Sequence, residues 1–251
     1  MVHFVGAGSG AVDLITLRGH RLLEKADVII YAGSLVNAEL LECKKETCIV
    51  YNSAKMSLEE VIEVIKRAEK EEKVTVRLHT GDPSIFGAID EQFQVLDSFN
   101  IEYDVCPGVS SLFGAASSLK MEYTLPGVSQ SLIITRLEGR TPVPEMEKIE
   151  LLASHKTTMV IFLSTGMLKE LSEKLIEGGY DPKTSAAIVY KATWGDEKKV
   201  LCTIDTLEKQ AKVNGIYKTA LIIVGDVLNK NGDRSMLYHP EFTTEFRKGR
   251  E

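Results

Sequence analysis

The chain has 251 residues, 44% hydrophobic and 26% charged, with a formal net charge of −6. That length suits one large or two ordinary domains with buried cores. The charge, with no massed basic tract, excludes a general nucleic-acid binder, and no apolar run approaches the roughly eighteen residues of a membrane span.

The N-terminus, MVHFVGAG, enters a strand and a glycine turn directly. It lacks the charged-then-apolar pattern of a secretory leader, so a cytoplasmic location is expected. Residues 2–5 read as a strand, followed by the turn Gly6-Ala7-Gly8-Ser9-Gly10, a helix over 16–25 and a strand at Val28–Tyr31. Ser57 and Glu60 have the spacing of a capping box. Behind them Leu58, Val61, Ile62, Ile65 and Ala68 recur at helical spacing. A strand at 74–78 runs into His79-Thr80-Gly81-Asp82-Pro83, and a helix is expected from Asp82 to about Leu96. A strand at Ile101–Val105 ends at Pro107-Gly108-Val109-Ser110-Ser111.

Near residue 120 the register changes. Further strands are expected at 132–136, 158–163, 186–190, 199–203 and 219–224, with helices at 145–153, 167–177 and 205–213. The pattern predicts two α/β domains, 1–119 and 120–251, the second ending in a polar, loosely held tail. The four cysteines lack CxxC spacing and the five histidines are scattered, so structural thiols and no intrinsic metal site are expected.

Six loops follow strands: GAGSG, YAGS, HTGDP, CPGVSS, TRLEGR and FLSTGM. In α/β sheets the carboxyl ends of strands are where ligands bind. GAGSG is a tight turn, a dinucleotide fingerprint of an NAD(P) oxidoreductase, or a loop that admits a large substrate close to the backbone. The second strand ends in Tyr31-Ala32-Gly33-Ser34, without the carboxylate a dinucleotide site needs. Asp82-Pro83 reads as a helix start or as a ligand loop with Ile85 and Phe86 forming an apolar wall. Ser110 and Ser111 offer two hydroxyls at a capped turn. Met167 suits a sulfur, an adenine or ordinary core, and Asp104 is a general base or a solvated strand carboxylate.

VGAGSG, YAGS, RLHTGDPSIFGAI, PGVSS, LPGVSQ, TRLEGRTPVPE, FLSTGM and YKATWGDE occur in this order along nearly the whole chain. This combination resembles the tetrapyrrole methylase family, and within it the branch that methylates C-11 of precorrin-4, or of cobalt-precorrin-4 in anaerobes. The resemblance implies two α/β domains with S-adenosylmethionine held between them, released as S-adenosylhomocysteine, and a homodimer. It places Gly81, Asp82, Ile85, Phe86, Ser110, Ser111, Met167, Tyr190, Ala192 and Ala220 at the cofactor. It places Gly8, Ser9, Tyr31 and Ser34 along the trough for a tetrapyrrole polycarboxylate; Arg136 and Arg140 are either partners for its carboxylates by charge-assisted pairing or solvated surface residues. Any cobalt would arrive within that substrate. Asp104 is the candidate base. Ser9 and Gly195 stand where the family commonly has proline, and Phe86 where tyrosine is frequent.

Overall fold

The computed structural model describes residues 1–250, apart from the side chain of Ser34. Two compact units emerge: Met1–Ala115 with Lys191–Glu197, and Ala116–Tyr190 with the described chain from Lys198 onward. The sequence pattern put the division near residue 120, whereas here a seven-residue strap from far along the chain joins the first unit.

The first unit contains β1 (Val2–Gly6), α1 (Leu17–Lys25), β2 (Val28–Tyr31), β3 (Ile49–Asn52), α2 (Leu58–Lys70), β4 (Thr75–His79), α3 (Asp90–Ser98) and β5 (Tyr103–Cys106). Helix α4 (Ser111–Leu119) follows. The strands form a parallel sheet in the order β3-β2-β4-β1-β5. Central β4 has all five residues buried, as a strand with both faces covered must. On one face Phe4, Val28 and Ile30 pack with Ile62 and Ile65 of α2 and Leu96 of α3. On the other, Val5, Ile29, Val76 and Leu78 pack with Leu23 of α1.

Local chemistry sets the helix starts. The Thr16 hydroxyl accepts the Gly19 N–H at 3.1 Å at the head of α1. Ser57 and Glu60 form the reciprocal capping box of α2, as their spacing predicts. Strand β3 has no counterpart in the sequence reading, because its four residues, Ile49 exposed and the other three partly buried, show no alternation.

The second unit has β6 (Leu132–Arg136), α5 (Ile149–Ala153), β7 (Thr158–Phe162), α6 (Leu168–Glu177), β8 (Ser185–Tyr190), β9 (Lys198–Thr203), α7 (Leu207–Val213) and β10 (Ala220–Val224). The sheet order is β6-β7-β10-β8-β9, with β6 parallel to β7 and the other pairs antiparallel. Met159, Ile161, Ile188, Ile222 and Val224 pack against Leu171 and Leu175 of α6 and Leu207 of α7. Within the tail the Arg247 guanidinium donates to the carbonyls of Leu237, His239 and Phe242, so that segment folds on itself. All four cysteines are free thiols.

Phe4 is fully buried, with its ring 4.8 Å from that of Phe93 in an edge-to-face pair. Phe4→Ala is expected to lower unfolding free energy by about 3–5 kcal/mol, read from the midpoint and slope of urea denaturation.

Candidate functional site

In the first unit the carboxyl ends of β1, β4 and β5 converge on three glycines. A Cβ added to Gly108 would lie 2.1 Å from the Gly81 carbonyl oxygen, and one added to Gly6 would lie 2.6 Å from the Gly108 Cα. Only glycine lets these backbones touch. Beyond the strands, Ala7 N–H donates to the His79 carbonyl at 2.7 Å, and Gly8 and Gly81 exchange hydrogen bonds of 3.2 and 3.0 Å. The N–H of Gly81 is therefore taken up by the Gly8 carbonyl.

Asp82 braces this junction. One carboxylate oxygen accepts the Gly108 N–H at 2.8 Å; the other accepts the Ser84 N–H at 2.9 Å and the Ser84 hydroxyl. Burial pushes the Asp82 carboxyl up, but these hydrogen bonds prevail and hold it below its ordinary value of 3.8. The helix expected from Asp82 does not form there. The chain makes one turn and folds back so closely that a Cβ on Gly87 would lie 2.0 Å from the Pro83 oxygen; α3 begins only at Asp90. Phe86 and Ala88 take left-handed φ of 54° and 48°, which breaks the helical path. Phe86 is 46% exposed at the turn's tip and Ile85 is half-buried.

Ser110 is buried; its hydroxyl accepts the Leu112 N–H at 3.4 Å and its carbonyl the Phe113 N–H at 3.0 Å, at the head of α4. Ser111 opens that helix. Tyr31 lies at the carboxyl end of β2, and the side chain of Ser34 lies outside those described.

The strap explains the glycine loop. Thr193 Oγ1 accepts the Ala11 N–H at 3.1 Å and pairs with the Ser9 hydroxyl at 3.0 Å. Ser9 is 5% exposed, and its hydroxyl is taken up by that pairing. Trp194 lies on Gly10, where a Cβ would come within 2.1 Å of its ring. Ala192, in the same strap, is buried. The sequence reading singled out YKATWGDE without assigning Thr193 or Trp194 a place. The small residues Ser9 and Gly10 opposite them were the available signal.

In the second unit, pairing of Arg136 with Phe162, Ile222 with Ile161 and Ala220 with Tyr190 brings Arg136, Tyr190 and Ala220 to one edge of the sheet. Thr165 ties that edge together: its hydroxyl donates to the Ala220 carbonyl at 3.0 Å and accepts the Ala220 N–H at 3.3 Å. Met167 lies against Gly139 of the TRLEGR loop, 3.3 Å from where a Cβ would be. Arg136 donates to the carbonyls of Leu137, Thr141 and Pro142 at 3.4, 3.1 and 2.6 Å, so its guanidinium shapes that loop. Arg140 is exposed. Asp104 lies away from the loops of its unit: it pairs with His3 at 2.7 Å, three residues or roughly 10 Å of strand before Pro107.

His79, the last residue of β4, is buried and its Nε2 has no hydrogen-bond partner among the described residues. Burial, reinforced by nearby Arg77, pushes its pKa down to about 3, so it is neutral near pH 7.

Residues 1–208 match the model of the Tetrapyrrole (Corrin/Porphyrin) Methylases. A cobalt-precorrin-4 C(11)-methyltransferase of Methanocaldococcus jannaschii is 54% identical over 248 residues, 98% of this chain and 96% of that protein. The X-ray structure of the cobalt precorrin-4 methyltransferase CbiF superposes with a TM-score of 0.88 at 43% identity, covering 90% of this chain and 95% of that one. The uroporphyrin-III C-methyltransferase of Thermus thermophilus, solved with S-adenyl homocysteine, superposes with a TM-score of 0.77 at 26% identity, covering 93% and 95%.

Two outcomes follow from this geometry. In Asp82→Asn the amide cannot accept from Gly108 while also serving Ser84, and a loss of about 1–3 kcal/mol is expected in chemical denaturation at pH 7. The depressed carboxyl of Asp82 contributes above its unfolded value, so the deficit of the variant should narrow as pH falls below about 4. His79 also has a depressed pKa: the unfolded chain takes up its proton first as pH falls below the ordinary 6.5. Its contribution is therefore complete above that value and declines by up to ~1.4 kcal/mol per pH unit toward pH 3. His79→Gln should show a flatter dependence between pH 7.5 and 5, and an unchanged slope would contradict the neutral assignment.

Proposed function

The chain belongs to the tetrapyrrole (corrin/porphyrin) methylases, and from that premise we propose that it transfers a methyl group from S-adenosylmethionine to C-11 of cobalt-precorrin-4. The observation that carries this reading is the 54% identity, over nearly the whole chain, to a protein named for that reaction.

The loops fit such a donor. The convergence at Gly6, Gly81 and Gly108 leaves backbone in place of side chains at the strand ends. At Gly166 a Cβ would meet nothing within 4 Å, so the backbone there stays open to a ligand. When bound, the sulfonium would supply an electrophilic methyl carbon, the C–S bond being exchanged for a C–C bond, with a neutral thioether left behind and the positive charge leaving the macrocycle as a proton.

The protein's part is alignment and exclusion of water. Ile85 and Phe86 provide an apolar wall for the adenine, and the capped start of α4 at Ser110 and Ser111 receives the carboxylate. The family resemblance also assigns Gly81, Met167, Tyr190, Ala192 and Ala220 to the donor, and Asp82 holds its own loop in shape. Gly8, Tyr31 and Arg140 are assigned to the polycarboxylate, while Ser9 and Arg136 support the loops that carry it. The attacking carbon belongs to the macrocycle, so no side-chain nucleophile is required, and Asp104 is assigned no step. Cobalt enters within the substrate. We further assign the protein to the cytoplasm as a homodimer; no helix among the described residues is long and apolar enough to cross a membrane.

Calorimetric titration with S-adenosylhomocysteine, with NAD as control, tests the donor site. Micromolar binding of the former alone is expected; binding of NAD instead would overturn the reading. Mass spectrometry and NMR of the product from cobalt-precorrin-4 then locate the new methyl group.

A further inference from the structure

Beneath the Asp82–Ala88 turn lies a buried polar pair that the reaction does not call upon. Arg77, in the middle of β4, is 7% exposed and has no acidic partner among the described residues. Its Nε–H donates to Gln92 Oε1 at 3.1 Å and its Nη1–H to the Ile30 carbonyl at 3.0 Å. Burial lowers its pKa to about 10, which still leaves it cationic at neutral pH. Gln92 is 4% exposed, and its Nε2–H donates to the Ala88 carbonyl at 2.8 Å.

The chemistry fixes which way the amide points. An arginine only donates, so the oxygen of Gln92 must face it and the NH2 must face Ala88. The buried positive charge also polarises the amide and strengthens its donation. That hydrogen bond lands on a residue with φ 48°, two positions after Phe86 with φ 54°. Neither left-handed conformation is favourable for a residue with a Cβ, so the turn needs restraint at both ends. Asp82 restrains the first end through Gly108 and Ser84.

We propose that Arg77 and Gln92 are positioning residues for the methyl donor, restraining the second end of the turn so that Ile85 and Phe86 are presented to it. This rests on the donor site assigned above. Neither residue touches the donor; Arg77 orients Gln92, and Gln92 holds Ala88.

Gln92→Glu separates this role from a packing role. The carboxylate keeps the size of the amide and still accepts from Arg77, but it cannot donate to Ala88 and sets an anion against that carbonyl. The test measures S-adenosylhomocysteine affinity by calorimetry, steady-state KM and kcat, thermal stability, and hydrogen exchange of the Ser84–Ala88 amides without ligand. Expected are an unchanged or higher melting temperature, faster exchange confined to the turn, a rise of about tenfold in Kd and donor KM, and kcat within about threefold at saturating donor. A folded Q92E that binds within twofold of wild type overturns the proposal. If Q92E does not fold, Q92M, neutral and of similar length, must show the same loss of affinity, and its absence overturns the proposal equally. Wild-type protein that fails to bind S-adenosylhomocysteine overturns the donor site itself. Faster exchange in Q92E would then mark the pair as a brace of the fold alone.

Discussion

The loop edge of the first unit depends on the contact of three backbones at Gly6, Gly81 and Gly108. Parallel pairing of β1 with β4 and β5 aims all three strand ends the same way, and any Cβ at Gly6 or Gly108 would force them apart. Because they touch, the Asp82 carboxylate reaches the Gly108 N–H and the Gly8–Gly81 pair closes beside it. The loops are thus fixed by one another before any ligand arrives, which is the condition for holding reactants in a productive geometry.

Features written in short-range chemistry were legible in the sequence. The capping box of α2, the buried run of β4 and the glycine turn after β1 each depend on neighbours a few residues away. The turn after Pro83 was not, because Asp82-Pro83 is a sound helix start locally and is overruled by a fold-back onto Pro83 with left-handed residues at Phe86 and Ala88. Nor was the strap. Ser9 and Thr193 are 184 residues apart, and no periodicity reports such a pairing. Strand β3 was missed for a third reason: its short, half-covered pattern resembles a loop.

Apart from Lys230, which follows the short turn Asp226–Asn229, the left-handed residues other than glycine separate into two groups. Glu72, Asn100, Lys120 and Lys156 are left-handed one to three residues beyond the ends of α2, α3, α4 and α5, an ordinary way for a helix to stop. Phe86, Ala88, Leu163, Lys191, Thr193 and Thr219 are left-handed in the segments that follow β4, β7 and β8 or lead into β10. These segments lie at the loop edges from which the site residues were drawn. Strain of this kind persists only where the surroundings impose it, and the Asp82 and Gln92 hydrogen bonds are such surroundings for the first two.

The polar side chains with the most obvious chemical promise are consumed by the protein itself. Asp82 holds backbone amides, Arg136 holds carbonyls, Ser9 is paired with Thr193, and Asp104 with His3. For acyl or phosphoryl transfer this would be a poor arrangement, since those reactions need groups that attack or move protons. Displacement at a sulfonium by an electron-rich carbon needs no side-chain nucleophile, and the proton that the methylated macrocycle then gives up can pass to solvent. The displacement itself asks that two large molecules be held in line in a site closed to water. A protein that spends its charged and polar groups on fixing loop shape, and leaves glycine backbone and apolar side chains such as Ile85 and Phe86 at the surface of those loops, is built for that demand.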